Sequence, residues 1–237
     1  MSWKKTLKRV WHFIWEDNSI WSWLVNIALA FVLIKFIVYP SLGFLLITTH
    51  PVVAVVSESM EHNAHPTCAE MSQYYFFGKK DYCSKYAYAL CGKAFSKSMS
   101  FSLGEYWNEC GKWYESNNIT IEQFTQFSFK NGFNTGDIMV LRGKKPEAIK
   151  VGDIIVFWSS KSEPIIHRVV KKWKDSYGYH FQTKGDHNAY SIKTPILDET
   201  NISEEQIIGN AVVRIPMLGY IKIWFVDLLN FLGLLKN

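Results

Sequence analysis

The chain has 237 residues, 48% of them hydrophobic and 20% charged, enough for one ordinary domain with an apolar core plus an appendage. Its net charge is only +5, and the basic residues are scattered with no accompanying binding motif, which argues against nucleic acid as a partner. Aromatic residues are abundant at 16%, including ten Trp, and many fall near segments that read as membrane-contacting.

The first fifteen residues, MSWKKTLKRVWHFIW, set Lys4, Lys5, Lys8 and Arg9 among Trp3, Leu7, Val10, Trp11 and Ile14 at roughly helical spacing. That pattern predicts a basic amphipathic helix lying on an anionic membrane surface, within a cytoplasmic segment 1–19. Residues 20–39, IWSWLVNIALAFVLIKFIVY, are long and apolar enough for one helix to cross a bilayer core. Asn26 interrupts the run, and Lys35 sits near its end, where its stem reaches the headgroups. The run exceeds a typical signal-peptide core and has no clean small-x-small site after it, so a retained anchor is expected. The basic residues before it place the N-terminus in the cytoplasm and everything beyond Pro40 outside.

A strand-rich body follows. Residues 51–59 (PVVAVVSES), 137–143 (DIMVLRG), 153–159 (DIIVFWS), 163–173, 177–186 and 206–215 read as short strands separated by turns, so the body is mainly β. It occupies 40–60 and 136–220. Between these lies 61–135, a polar, aromatic stretch expected to be an inserted, partly helical subdomain with helices around 102–116 and 120–130. All four cysteines, Cys68, Cys83, Cys91 and Cys110, fall in it; in an exported segment they suggest two disulfides, with three connectivities open. Their spacing gives no support to a metal site. Asn118 and Asn201 begin glycosylation sequons. The closing stretch 221–237 is apolar but carries Lys222, Asp227 and Asn230, which favours an interfacial helix over a spanning one.

Three polar residues sit at odd places in apolar runs: Ser59 in Ser57-Glu58-Ser59-Met60, His167 in Ile165-Ile166-His167-Arg168-Val169, and Asp186 in Thr183-Lys184-Gly185-Asp186. A serine hydroxyl needs a base within hydrogen-bond reach, and the base needs an orienting acid. The order SxSM, GDIIVF, IHRV, TKGD with Asn188 two residues on resembles the signal peptidase I family, and the His of IHRV points to its archaeal and endoplasmic-reticulum branch. The resemblance covers 51–60 and roughly 136–220. It implies a signal-peptidase-like β fold and a serine endopeptidase that cuts signal peptides from preproteins after small residues, with no cofactor. The bilayer, and the secretion translocon, are the further partners it suggests, with an archaeal plasma membrane preferred to the endoplasmic reticulum. Carried over by motif, Ser59 is the nucleophile and His167 the base. Ser57 matches an oxyanion-stabilising position, and Met60 packs near the nucleophile. The second acid of the family's pattern is missing just after Asn188, where Tyr190-Ser191-Ile192 stand. The stretch DETNISEEQIIG resembles the family segment that begins at that acid, which implies Asp198 as the triad acid, with Asp186 as structural support or the alternative acid. Competing readings are a self-cleaving protease using Lys171, Lys172 or Lys184 as base, and a non-catalytic membrane-bound binding module working through the 61–135 segment.

Overall fold

A computed structural model describes residues 3–66 and 88–231. It divides into two compact units, residues 1–47 and 48–237. In the first, helix α1 (Trp3–Trp15) is followed by α2 (Ile20–Leu33), a π-helical turn (Ile34–Val38) and α3 (Tyr39–Leu46). The last three join into one apolar helix, Ile20–Leu46, of 27 residues. At about 1.5 Å per residue it is long enough to cross a membrane. The sequence reading ended this run near Pro40, but the helix continues through it. Proline removes one backbone donor and crowds the carbonyl four residues back. The π turn absorbs this: the Tyr39 N–H donates to Ile34 O, five residues back, shifting the hydrogen-bond register just before the proline. Asn26 is also accounted for, because its Nδ2 donates to Ile14 O at 2.8 Å and so satisfies a terminal carbonyl of α1.

The second unit is built on a seven-stranded antiparallel sheet. Its strands are β1 (Val52–Ala54), β6 (Ile138–Arg142), β7 (Ile154–Phe157), β8 (Ile165–Asp175), β9 (Gly178–Lys184), β10 (Ile202–Ser203) and β11 (Ile207–Ile215), in spatial order β1-β6-β11-β7-β8-β9-β10. The expected strands are all present, although the first is short. After Val55, whose N–H donates to Asp137 O, the chain leaves the sheet for an irregular turn carrying the SxSM motif. Two cores flank the sheet. One gathers Val55, Met60, Phe133, Met139, Leu141, Ile154 and Val156. The other gathers Ile149, Ile155, Phe157, Val169, Phe181, Leu197 and Ile202.

The described residues of segment 61–135 form a second small sheet, β2 (Asn63–Pro66), β3 (Tyr88–Leu90), β4 (Lys93–Phe95) and β5 (Met99–Ser100) in the order β4-β3-β2-β5, with helices α4 (Leu103–Ser116) and α5 (Ile121–Phe124). Both helices open with capping boxes, Ser102 with Glu105 and Thr120 with Gln123. The second predicted helix shortens to one turn. Tyr106, Cys110 and Tyr114 recur every four residues on α4, and this stripe packs with Leu90, Phe124 and Val170 of β8. Cys91 and Cys110 are disulfide-bonded; Cys68 and Cys83 lie outside the described residues. The two ends of the segment are stitched together, with Phe133 N–H donating to Met60 O at 3.2 Å and Thr135 N–H to Glu61 Oε1 at 2.7 Å. Helix α6 (Tyr220–Phe231) closes the described chain, with Ile221, Trp224 and Phe225 exposed.

Candidate active site

Alternation along β8 sends His167 and Arg168 to opposite faces, each with a separate task. His167 is 4% exposed. Its Nε2 accepts the Ser59 hydroxyl at 2.8 Å, and its Nδ1–H donates to Glu199 Oε1. The three side chains form one line from hydroxyl to imidazole to carboxylate. This line sets the tautomer that leaves Nε2 as the acceptor next to Ser59.

The acid in that line is Glu199, which the sequence reading did not name. Asp198, expected there, is exposed and spends its carboxylate on the backbone N–H and hydroxyl of Thr200. The physical reason is alternation: Leu197 and Glu199 turn inward and are buried, and the residue between them turns out. Glu199 is held at both ends by backbone bonds, its N–H donating to Ile192 O at 2.8 Å and its carbonyl accepting Thr183 N–H at 2.9 Å. Thr183 Oγ1 donates to the same Oε1 at 3.0 Å, and the Ile192 N–H to Oε2 at 2.7 Å. Burial pushes the Glu199 carboxyl upward. The charge and hydrogen bond of His167, with the Ile192 and Thr183 donors, outweigh it and hold the group below its ordinary range. It is therefore an anion near neutral pH, as an orienting acid has to be.

Asp186, the alternative acid, faces away from His167 into a buried polar knot. Arg168 clasps it twice, Nε to Oδ1 at 2.8 Å and Nη2 to Oδ2 at 2.6 Å. Tyr114 donates to Oδ1 at 3.0 Å, and His62 Nε2 lies 3.1 Å from Oδ2. Asp186 therefore lies among Arg168, Tyr114 and His62, while the carboxylate bonded to His167 is that of Glu199. Lys184, a candidate base in the competing protease reading, points its Nζ at Gly185 O and Asp186 O rather than at Ser59. Burial lowers its pKa to about 8, with the nearby Asp186 and Glu199 charges opposing the shift.

Ser57 is exposed, and its Oγ lies 3.1 Å from Ser59 Oγ. Met60 is wholly buried, part of the core and the Sδ partner of the Asp186 N–H at 3.4 Å, so it supports the Ser59 turn from beneath. Gly185 brings the strands' ends together. A Cβ there would stand 2.6 Å from Ser59 O, 2.6 Å from Asn188 Nδ2 and 2.9 Å from His167 Nε2. Asn188 Nδ2 is buried with no hydrogen-bond partner, a donor beside the Ser–His pair that the motif hinted at only by its position. Gly185→Ala is accordingly expected to push His167 from Ser59 and to cut turnover about 10²-fold. Steady-state kinetics with circular dichroism as the fold control would check this, and wild-type turnover would contradict the contact. Among the described residues no cluster of His, Cys, Asp or Glu is arranged to hold a metal ion.

The fold and the Ser59–His167–Glu199 line define the geometry of a nucleophile, base and orienting acid on a β scaffold. No family model matches the chain. Individual relatives do. It is 33% identical over 119 residues to the signal peptidase complex catalytic subunit SEC11 of Zygosaccharomyces rouxii, covering 45% of this chain and 70% of that protein. It is 38% identical over 103 residues to the subunit of the same name from Lachancea thermotolerans, covering 41% and 60%. Against the Clavispora lusitaniae subunit it is 31% identical over 117 residues, covering 45% and 70%. The chain belongs to the SEC11 family of signal peptidase catalytic subunits.

Proposed function

We propose that the chain is a membrane-anchored serine endopeptidase that removes N-terminal signal peptides from exported preproteins. The single observation that carries the mechanism is the continuous hydrogen-bonded line Ser59–His167–Glu199. Ser59 Oγ attacks the scissile carbonyl as His167 Nε2 takes its proton, and Glu199 holds the imidazole and stabilises its charged form. His167 then protonates the departing amine of the mature protein. Water resolves the acyl-enzyme by the same route. The Ser59 backbone N–H, the Ser57 hydroxyl and the Asn188 amide are the donors at hand for the substrate's carbonyl oxygens. Strand β1, at the open edge of the sheet, offers main-chain pairing to an extended signal-peptide end. Small side chains before the cut follow from the family resemblance.

The helix Ile20–Leu46 is read as the anchor, with the N-terminus cytoplasmic and the catalytic body on the other side of the membrane. That membrane is an archaeal plasma membrane or the endoplasmic reticulum; the relatives reported above come from yeasts. The anchor keeps the enzyme in the membrane that also holds the signal's apolar helix, with the translocon as a natural neighbour. Helix α6 is read as interfacial, because its exposed Ile221, Trp224 and Phe225 suit the lipid boundary. Segment 61–135 is read as an insertion, supported by its stitched ends and its separate small sheet.

The test is cleavage of a preprotein by the purified chain in lipid. Processing after a small residue is expected in the wild type, and a loss of about 10⁴-fold or more in Ser59→Ala and His167→Ala. Unchanged processing by either variant would sink the reading.

A further inference from the structure

The turn 185–189 is gripped from both sides. On one side it carries the catalytic pair: the His187 N–H donates to Ser59 O at 2.9 Å, and Gly185 fits against Ser59 O and His167 Nε2. On the other side stand two pieces of segment 61–135. The first is the tip of the β3–β4 hairpin, a two-residue turn in which Cys91 (φ 52°) and Gly92 (φ 75°) are both left-handed. Its Cys91 N–H donates to His187 O at 2.8 Å, Cys91 Sγ lies 3.3 Å from Asp186 O, and Gly92 approaches Ala189 so closely that a Cβ would stand 2.9 Å from the alanine's own. The second is helix α4. The Tyr106 hydroxyl donates to Asp186 O at 2.8 Å and the Tyr114 hydroxyl to Asp186 Oδ1 at 3.0 Å. Both hydroxyls are fully buried, and burial raises their pKa, so they remain donors across the physiological range. His62 stacks on Tyr106 at 3.6 Å and reaches the same carboxylate. The Cys91–Cys110 disulfide ties the hairpin tip to the helix one turn from each tyrosine.

We propose that the β3–β4 hairpin tip and helix α4 work as a disulfide-braced clamp on the turn 185–189, with Tyr106, Tyr114 and the Cys91–Cys110 bridge as positioning groups for Ser59 and His167. The inference rests on the proteolytic reading of the site only for its kinetic half. The clamp gives the segment a function inside the reaction rather than beside it. It also makes turnover depend on an oxidising compartment, since reduction releases the hairpin tip from α4.

Two variants of the full chain in lipid vesicles test it: Tyr114→Phe, and the pair Cys91→Ala with Cys110→Ala. Amide hydrogen exchange is read at His187, whose N–H is bonded to Ser59 O, and at the β7–β8 ladder as the control for global folding. Preprotein cleavage gives kcat and KM. The clamp predicts exchange at His187 at least about tenfold faster with the β7–β8 amides unchanged. It predicts kcat lower by about 10–100-fold with KM within about twofold, the cost of loosening a catalytic geometry. Unchanged exchange at His187 in both variants would overturn it. So would a rise shared equally by β7 and β8, which is an ordinary stability role, or a change confined to KM. If the wild-type chain cleaves no preprotein, the proposed function fails, and the exchange contrast alone still decides the clamp.

Discussion

Glu199→Gln is expected to lower kcat about 10³–10⁴-fold while Asp198→Ala leaves it within about twofold. The amide keeps the size of the carboxyl but loses the charge that stabilises the imidazolium. It also places an NH₂ where the His167 Nδ1–H must donate, so the ring flips its proton to Nε2 and can no longer accept from Ser59. KM should change little, because Glu199 is buried and touches the base rather than the substrate. Kinetics on the two variants, with circular dichroism to confirm folding, measure the contrast. A large effect at Asp198 and a small one at Glu199 would reverse the assignment.

Asp186→Asn is expected to remove about 3–5 kcal/mol of stability. The substitution leaves the fully buried Arg168 guanidinium facing a neutral amide, with two charge-assisted bonds lost and the Tyr114 hydroxyl re-partnered. Burial works against the Asp186 charge. The Arg168 charge and its hydrogen bonds, with His62, overcome it and drive the carboxyl far below its ordinary range. The sign of the pH dependence follows. A depressed carboxylate contributes fully above its unfolded pKa of about 4 and loses that contribution as pH falls toward the folded value. The stability gap between wild type and Asp186→Asn should therefore be flat from pH 8 to about 5 and narrow below about 4. Denaturant titrations across that range provide the measurement, and a gap that widens in acid would contradict the ion pair.

Ser59 and His167, which the structure places in hydrogen-bond contact, could be picked out because each stands in a short motif whose neighbours are local. SxSM follows a strand, and IHRV alternates along one. Glu199 was not legible in the same way. Its position depends on a loop, 192–199, folded by a backbone bond across the loop to Ile192 and another to Thr183 on the preceding strand. In a pattern of period two, an error of one residue reverses the face. The usable signal lay in Leu197: reading that side chain as core turns Asp198 out and Glu199 in. The strand spans were legible from β-branched runs, and the anchor from its apolar length. Pro40 misled, because a proline reads as an end unless a π turn precedes it, and nothing local announces that turn. Segment 61–135 showed its helix through Ser102 and the capping glutamate. Its docking on Asp186 is a long-range contact between Tyr106, Tyr114 and a turn some eighty residues later, beyond what spacing encodes.

The most direct test of the central claim is the covalent intermediate itself. A preprotein reaction on the wild-type chain in lipid is quenched by acid within one turnover and digested, and the peptide bearing Ser59 is weighed. The account predicts an added mass equal to that of the signal peptide's C-terminal digestion fragment less one water, since the carboxyl carbon of that fragment forms the ester with Ser59, and the loss of that adduct in Ser59→Ala. Mature product accumulating with no adduct on Ser59, or still forming in Ser59→Ala, would show that another group cuts the bond.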